Sequence, residues 1–208
     1  MSLKSNSPHR LMRGILASAI FAGVALSSQT VFAETKSAYF AGGCFWCIEK
    51  DFEHVKGVKE VESGYQGGTI ENPTYRNHPD YIEAVRIDYD PSVVDYASLL
   101  KTFFRTVDPT DPGGQFCDRG HAYTTAIFTS DEAELEAANA AKLEAQDALG
   151  QPIATVIRDY SKFWLSEGYH QNYYKKNPVR YKYYRFRCGR NQTVKKLWGD
   201  QAYLGVDH

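Results

Sequence analysis

The chain has 208 residues, with 24 Lys and Arg against 25 Asp and Glu, a formal charge of −1 and 43% hydrophobic residues. That length suits one domain with a substantial core, and the charge balance argues against a nucleic-acid binder. The bias is local: nine Lys and Arg and no acid lie between Gly168 and Gly199.

The first 33 residues read as a secretory leader rather than as part of the fold. Lys4, Arg10 and Arg13 give a positive start, Gly14 to Leu26 is an apolar run of thirteen residues, and Val31-Phe32-Ala33 is a small-x-small cleavage pattern. The run is short of the ~20 residues a spanning helix needs. Glu34, not Cys, follows the cleavage point, so a lipid anchor is not indicated. Cleavage after Ala33 leaves one domain, 34–208, with 21 Lys and Arg against 25 acids, a charge of −4. The expected location is periplasmic or secreted, with no stable membrane association.

Patterning predicts strands over 36–41, 58–66, 82–89, 122–129 and 152–157, and helices over 45–55, 96–107 and 132–149. Asp95 can cap the second helix, Ser130 or Asp131 the third, and Gly150 closes the third. The third helix carries scattered charge among alanines and reads as a surface helix without chemistry. This order predicts an α+β, two-layer sandwich with a mixed sheet and a ferredoxin-like core. Two long stretches rich in turn residues, 67–80 and 108–120, are candidate functional loops. The aromatic-rich C-terminal third has weak periodicity. It is expected to wrap the core as coil and short helix, with a mobile tail from about residue 185.

All four cysteines, Cys44, Cys47, Cys117 and Cys188, lie after the leader. Cys44 falls where a strand-like run gives way to a helix-like run. Unpaired N–H groups and the helix dipole at such a junction favour a thiolate. Phe45 and Trp46 follow it directly, so a nucleophile stands beside an apolar wall, suited to a small, apolar, oxidised substrate. Cys-x-x-Cys also occurs in zinc sites and thioredoxin-like folds. A zinc site would need two further ligands at regular spacing; Cys117 with His121 is irregular, so no metal is expected. Purely structural disulfides are a further reading for an exported chain.

Gly42-Gly43-Cys44-Phe45-Trp46-Cys47 resembles the signature of the A-type peptide methionine sulfoxide reductases, and the resemblance continues along nearly the whole domain. Gly64-Tyr65-Gln66-Gly67-Gly68, Asn72-Pro73-Thr74-Tyr75, Glu83 ahead of Ile87-Asp88-Tyr89-Asp90-Pro91, Asp108-Pro109-Thr110, Asp118-Arg119-Gly120 with Tyr123, and His170-Gln171-Asn172-Tyr173 follow in the family's order. The resemblance implies that Cys44 attacks the sulfur of methionine S-sulfoxide, free or in proteins, and becomes a sulfenic acid. It implies Glu83 as general acid, Tyr75 and Tyr123 as donors to the sulfoxide oxygen, Phe45 and Trp46 as the box for the S-methyl group, and Asp118 as a substrate-binding acceptor. His170 and Gln171 read as supporting residues.

The sulfenic acid must then be resolved by a thiol. The family's recycling cysteine often lies in a mobile C-terminal segment, which puts Cys188 first among Cys188, Cys117 and Cys47. The implied partner is a thioredoxin-like reductant acting on a monomer without an organic cofactor. Tyr81-Ile82 and Thr124-Thr125 depart from the residues many relatives carry beside the glutamate and the second tyrosine. Two rivals remain open on the residues alone. One is a Cys-x-x-Cys thiol-disulfide oxidoreductase, which would need a thioredoxin-like arrangement and usually a cis-proline. The other is a binding module that uses the basic run from Lys175 to Lys196 on anionic surfaces.

Overall fold

The computed structural model describes residues 1–3 and 34–207. The leader reading falls on 4–33 and lies outside the described residues. No helix among the described residues is long and apolar enough to cross a membrane.

The chain builds β1 (Lys36–Gly42), α1 (Phe45–Phe52), β2 (Val58–Gln66), β3 (Ile82–Tyr89) and α2 (Tyr96–Phe104). A small hairpin follows, β4 (Gly114–Gln115) and β5 (Asp118–Arg119), then a 3₁₀ turn over His121–Tyr123 and β6 (Thr125–Thr129). α3 (Glu132–Leu149), β7 (Val156–Asp159), β8 (Trp164–Leu165), α4 (Tyr173–Lys176), α5 (Pro178–Arg187) and α6 (Arg190–Trp198) complete it. The main sheet runs β7-β6-β1-β3-β2-β8. β3 lies between β1 and β2, antiparallel to both, and β6 is antiparallel to β1. That is the split β-α-β order of a ferredoxin-like core. β7 extends it in parallel to β6, and β8 in antiparallel to β2. The sheet is therefore mixed, in an α+β fold.

Strand alternation explains the two faces. Ala38, Phe40, Val85, Ile87 and Ile127 point to one side, where they pack with Ile48 and Phe52 of α1, Leu99 and Phe103 of α2, and Ala138 and Ala145 of α3. Ala41, Ile82, Ala84, Ala126 and Phe128 point to the other, where Phe163 covers them. A side chain at Gly64 would come within 2.3 Å of the Phe163 ring, so the glycine is what lets this covering segment approach. Asp95 and Asp131 cap their helices through Ser98 N and Glu134 N, and Gly150 closes α3 at φ 65°.

Three elements depart from expectation. Residues 122–124 belong to the 3₁₀ turn rather than β6, because Tyr123 N bonds Gly120 O and Thr124 N bonds His121 O. β7 starts at Val156 because Ala154 and Thr155 give their N–H groups to Pro109 O instead of to the sheet. The C-terminal segment is neither mostly coil nor a loose tail. α5 and α6 are ten and nine residues long, and both pack on the domain. Their inward positions are Tyr181 and Arg185, then Arg190, Val194 and Trp198. That is a regular i, i+4 stripe, but it carries arginines where a hydrophobic pattern expects apolar residues. Trp198 Nε1 donates to Val107 O, and Val206 pairs with Val55.

Candidate active site

Cys44 occupies the N-cap of α1, reached through Gly43 at φ 79°. A side chain at Gly43 would meet Gln115 at 2.5 Å, and Gln115 braces the next loop by exchanging hydrogen bonds with Asp108. The turn that presents the thiol is thus locked to the hairpin that presents Asp118. Glu83 stands near the head of β3 on the helix side of the sheet, two positions before Val85 in the strand's alternation. It is only 2% exposed, and its Oε2 accepts the Phe45 N–H at 3.0 Å. The loop over 67–80 brings Tyr75, whose N–H is fixed by Glu167. The 3₁₀ turn brings Tyr123.

One pocket of about 90 Å³ is lined by Cys44, Phe45, Trp46, Tyr75, Glu83, Asp118, Tyr123 and Tyr184. Seven of these are the sequence candidates, gathered from five separate segments. Tyr184, on α5, was not foreseen. Its hydroxyl donates to Asp118 Oδ2, it packs beside Cys44, and its ring meets Trp46 edge-on at 5.9 Å. It is one of 15 tyrosines and lies in a basic stretch without a motif of its own, so no sequence signal set it apart. Trp46 is held in place by a stack on Tyr173 at 3.7 Å and by its Nε1 donating to His170 Nδ1 at 3.0 Å.

The larger surface depressions carry no comparable chemistry. One of about 560 Å³ is walled by Glu53, Lys59, Glu60, Glu62 and Lys175, which are solvated charges of both signs. Among the described residues, one group sets three ligand-type side chains within 4.8 Å, namely Cys117, Asp118 and Cys188, and its two sulfurs are bonded to each other.

Burial pushes the Glu83 carboxyl up to about 8, helped by the charges of Asp118 and Cys47 and opposed by the Phe45 N–H. It is therefore protonated at neutral pH, as a general acid must be. Burial likewise raises Tyr75, Tyr123 and Tyr184, keeping all three hydroxyls as donors.

The two site thiols are both buried, pack in one cluster and influence each other's ionisation. Burial, the neighbouring Cys47 thiol and the nearby charge of Glu83 push Cys44 well above the ordinary thiol range. This reverses the expectation that the helix start would make Cys44 the resting thiolate. Burial is the largest cause, and the helix start does not offset it, since the Phe45 N–H is spent on Glu83 and Cys44 makes no side-chain cap bond. Burial alone would raise Cys47 too, but the neighbouring Cys44 thiol and the charges of Arg190 and Arg185 bring it down to about 6.

Cys188 is not at this pocket and is not on a mobile tail. It is the C-cap of α5, joined to Cys117 by a disulfide with a Cα–Cα distance of 4.8 Å.

This site, a buried thiol pair facing a protonated carboxyl and three phenols on a split β-α-β sheet, is that of a thiol-dependent oxidoreductase. Residues 36–202 match the family model described as peptide methionine sulfoxide reductase, and the chain belongs to that family. The relative called peptide methionine sulfoxide reductase MsrA 2 from Rhizobium meliloti (strain 1021) is 54% identical over 178 residues, which is 85% of this chain and 90% of the relative. Among solved structures, reduced Mxr1 from Saccharomyces cerevisiae aligns with a TM-score of 0.67 at 31% identity, covering 70% of this chain and 87% of that one. The same yeast protein in complex with Trx2 aligns at 0.50 and 25% identity, covering 70% and 91%. The chain is accordingly an oxidoreductase of methionine sulfoxide, of the A type.

Proposed function

We propose that the protein repairs methionine S-sulfoxide through Cys44 and recycles through Cys47, with a thioredoxin-like protein as final reductant. The observation that carries this reading is the convergence of Cys44 and the buried, protonated Glu83 on one pocket of about 90 Å³, with Cys47 packed directly behind Cys44. A pocket of that volume admits the methyl sulfoxide end of a side chain and little more, so oxidised protein substrates must expose the methionine.

The chemistry follows from the proton positions. The sulfoxide sulfur lies over Cys44 and its methyl group against Phe45 and Trp46. Its oxygen faces Glu83, Tyr75 and Tyr123, and Asp118 accepts from the substrate backbone. The Cys47 thiolate takes the Cys44 proton as Cys44 attacks sulfur, and Glu83 protonates the oxygen. The oxygen passes from the substrate sulfur to the Cys44 sulfur as the substrate S–O bond and the transient S–S bond both break, methionine leaves, and Cys44 carries the hydroxyl as a sulfenic acid. Cys44 has lost two electrons and the substrate sulfur has gained them. Cys47 then attacks the Cys44 sulfur and gives up its proton, which the Glu83 carboxylate takes and delivers to the departing hydroxyl. The hydroxyl leaves as water, Glu83 is left as the carboxylate to be reprotonated from solvent, and a Cys44–Cys47 disulfide remains.

The yeast complex with Trx2 supports a thioredoxin-like donor for the two electrons that reopen this disulfide. Cys188 keeps a second reading. Tyr184, one helical turn before it, already touches Cys44, so a reduced Cys188 could be carried toward the sulfenic acid by movement of α5. Trapping the enzyme after one equivalent of sulfoxide and mapping its disulfides separates the two.

The leader pattern supports export. A disulfide closing 71 residues on the exposed Cys117 also suits an oxidising compartment. N-terminal sequencing of the exported protein should begin at Glu34; a mature form that starts at Met1 contradicts a cleaved leader. Action as a monomer is part of the same reading, and a sedimentation measurement checks it.

A further inference from the structure

The stripe on α5 and α6 buries two arginines against the back of α1. Arg185 is 8% exposed. Its Nη2 donates to Asp51 Oδ2 at 2.9 Å, its Nη1 to Tyr181 Oη at 2.9 Å and to Cys47 O at 3.5 Å, and its Nε to Asn191. Arg190 is 1% exposed. Both its terminal nitrogens donate to Gly42 O, and one also to Thr106 O. Among the described residues no carboxylate stands at ion-pair distance from Arg190, and its Nε has no hydrogen-bond partner. A guanidinium cannot shed its charge at any working pH, and a buried charge without a counter-charge is strongly destabilising. Arg185 is paired directly with Asp51, while Arg190 has only the more distant charges of Asp51 and Asp118. Cys47, on the turn between Asp51 and the Gly42 carbonyl that Arg190 holds, is placed to add a further negative charge.

We propose that Arg185 and Arg190 are positioning residues that hold Cys47 as the thiolate base and resolving nucleophile, and that this is the work of the C-terminal helices. The proposal rests on Cys47 as the recycling thiol. The groups that face Cys47 divide: the neighbouring Cys44 thiol and the charges of Arg190 and Arg185 favour its thiolate, and burial, Asp51 and the Glu83 carboxyl oppose it. The phenols of Tyr181 and Tyr184 stay neutral, both raised by burial. Arg190 makes the larger contribution of the two arginines. Binding Gly42 O gives it a second effect, since that carbonyl begins the turn that presents Cys44.

The test is a thiolate absorbance titration of the full chain with the Cys117–Cys188 disulfide intact, beside single-turnover disulfide formation. The wild type should show a midpoint near pH 6 that disappears in Cys47→Ser. Arg190→Met should raise it by ~1–3 pH units, the effect of removing one close opposite charge, and should slow disulfide formation below that midpoint. Arg190→Lys should restore most of both. Asp51→Asn should move the midpoint the opposite way, downward, which loss of packing would not do; it also serves where Arg190→Met does not fold. A midpoint unchanged in Arg190→Met, or raised in Asp51→Asn, overturns the proposal. That outcome is separable from failure of the recycling reading, which shows instead as a mapped disulfide lacking Cys47, wherever the midpoint falls.

Discussion

The two cysteine pairs of this protein differ in almost every physical respect. Cys44 and Cys47 stand three residues apart on the first turn of a helix, buried and reduced, with a protonated glutamate on one side and two arginines on the other. Cys117 and Cys188 stand 71 residues apart on the rim, joined in a disulfide that ties the hairpin carrying Asp118 to the helix carrying Tyr184. The inner pair has the environment needed to change oxidation state with substrate: two adjacent thiols, an acid for the departing oxygen and fixed positive charge for the thiolate. The outer pair has solvent access and a long loop to close, which are the attributes of a staple that fixes the pocket wall. Proximity to a nucleophile therefore does not assign the resolving role by itself. The electrostatic setting of each thiol does.

Removing the inner nucleophile should have the largest effect. Cys44→Ser should abolish methionine release even with one equivalent of substrate; release by Cys44→Ser with loss in Cys47→Ser would exchange the two roles. Glu83→Gln keeps shape but removes the proton, and the reductive step should fall on the order of 10²–10⁴-fold. A rate close to wild type would take the glutamate out of the mechanism.

Cys47→Ser lacks the base that takes the Cys44 proton, so it should release its one equivalent of methionine more slowly than wild type, then stall with Cys44 as sulfenic acid, and it should not turn over with a thioredoxin-type reductant. Small dithiols should partly rescue it.

The pH profile of the reductive step sharpens the same contrast. Cys47 must be the thiolate, so the rate should rise as pH passes about 6. Glu83 must be protonated, so it should fall as pH passes about 8. The coupled thiols make these properties of the site rather than of single residues. Loss of the alkaline limb in Glu83→Gln, at whatever residual rate, assigns that limb.

Breaking the outer pair should affect activity least. Replacing both Cys117 and Cys188 by Ser should leave the first equivalent of methionine intact. It should destabilise the fold by up to about 4 kcal/mol, the chain-entropy figure for a loop of this length, readable in denaturant unfolding. Unchanged stability with lost turnover would make that pair the catalytic one.

Much of this was legible in the residues. The strand-to-helix junction at Cys44, the central strands and the helix caps are local, and local patterning carries them. The pocket's seven candidates were recognisable through their order along the chain, although Glu83 on its own is an acid alternating with apolar neighbours. Its burial depends on the face of β3 that α1 covers. Cys44's raised thiol was hidden because the helix-terminus argument does not reveal how deeply the thiol is buried, nor that Glu83 takes the Phe45 N–H. The C-terminal helices were hidden because Arg185 and Arg190 occupy inward positions; a stripe that buries charge looks solvated until its counter-charge is located. Tyr184 depends on those helices and was lost with them.

The most direct test of the account is the disulfide map of the fully reduced wild-type enzyme, all four cysteines as thiols, after one equivalent of methionine S-sulfoxide. The account predicts that Cys44 is joined to Cys47, with neither Cys117 nor Cys188 bonded to them. A Cys44–Cys188 bond with Cys47 still alkylatable would contradict it and return the resolving role to the end of α5.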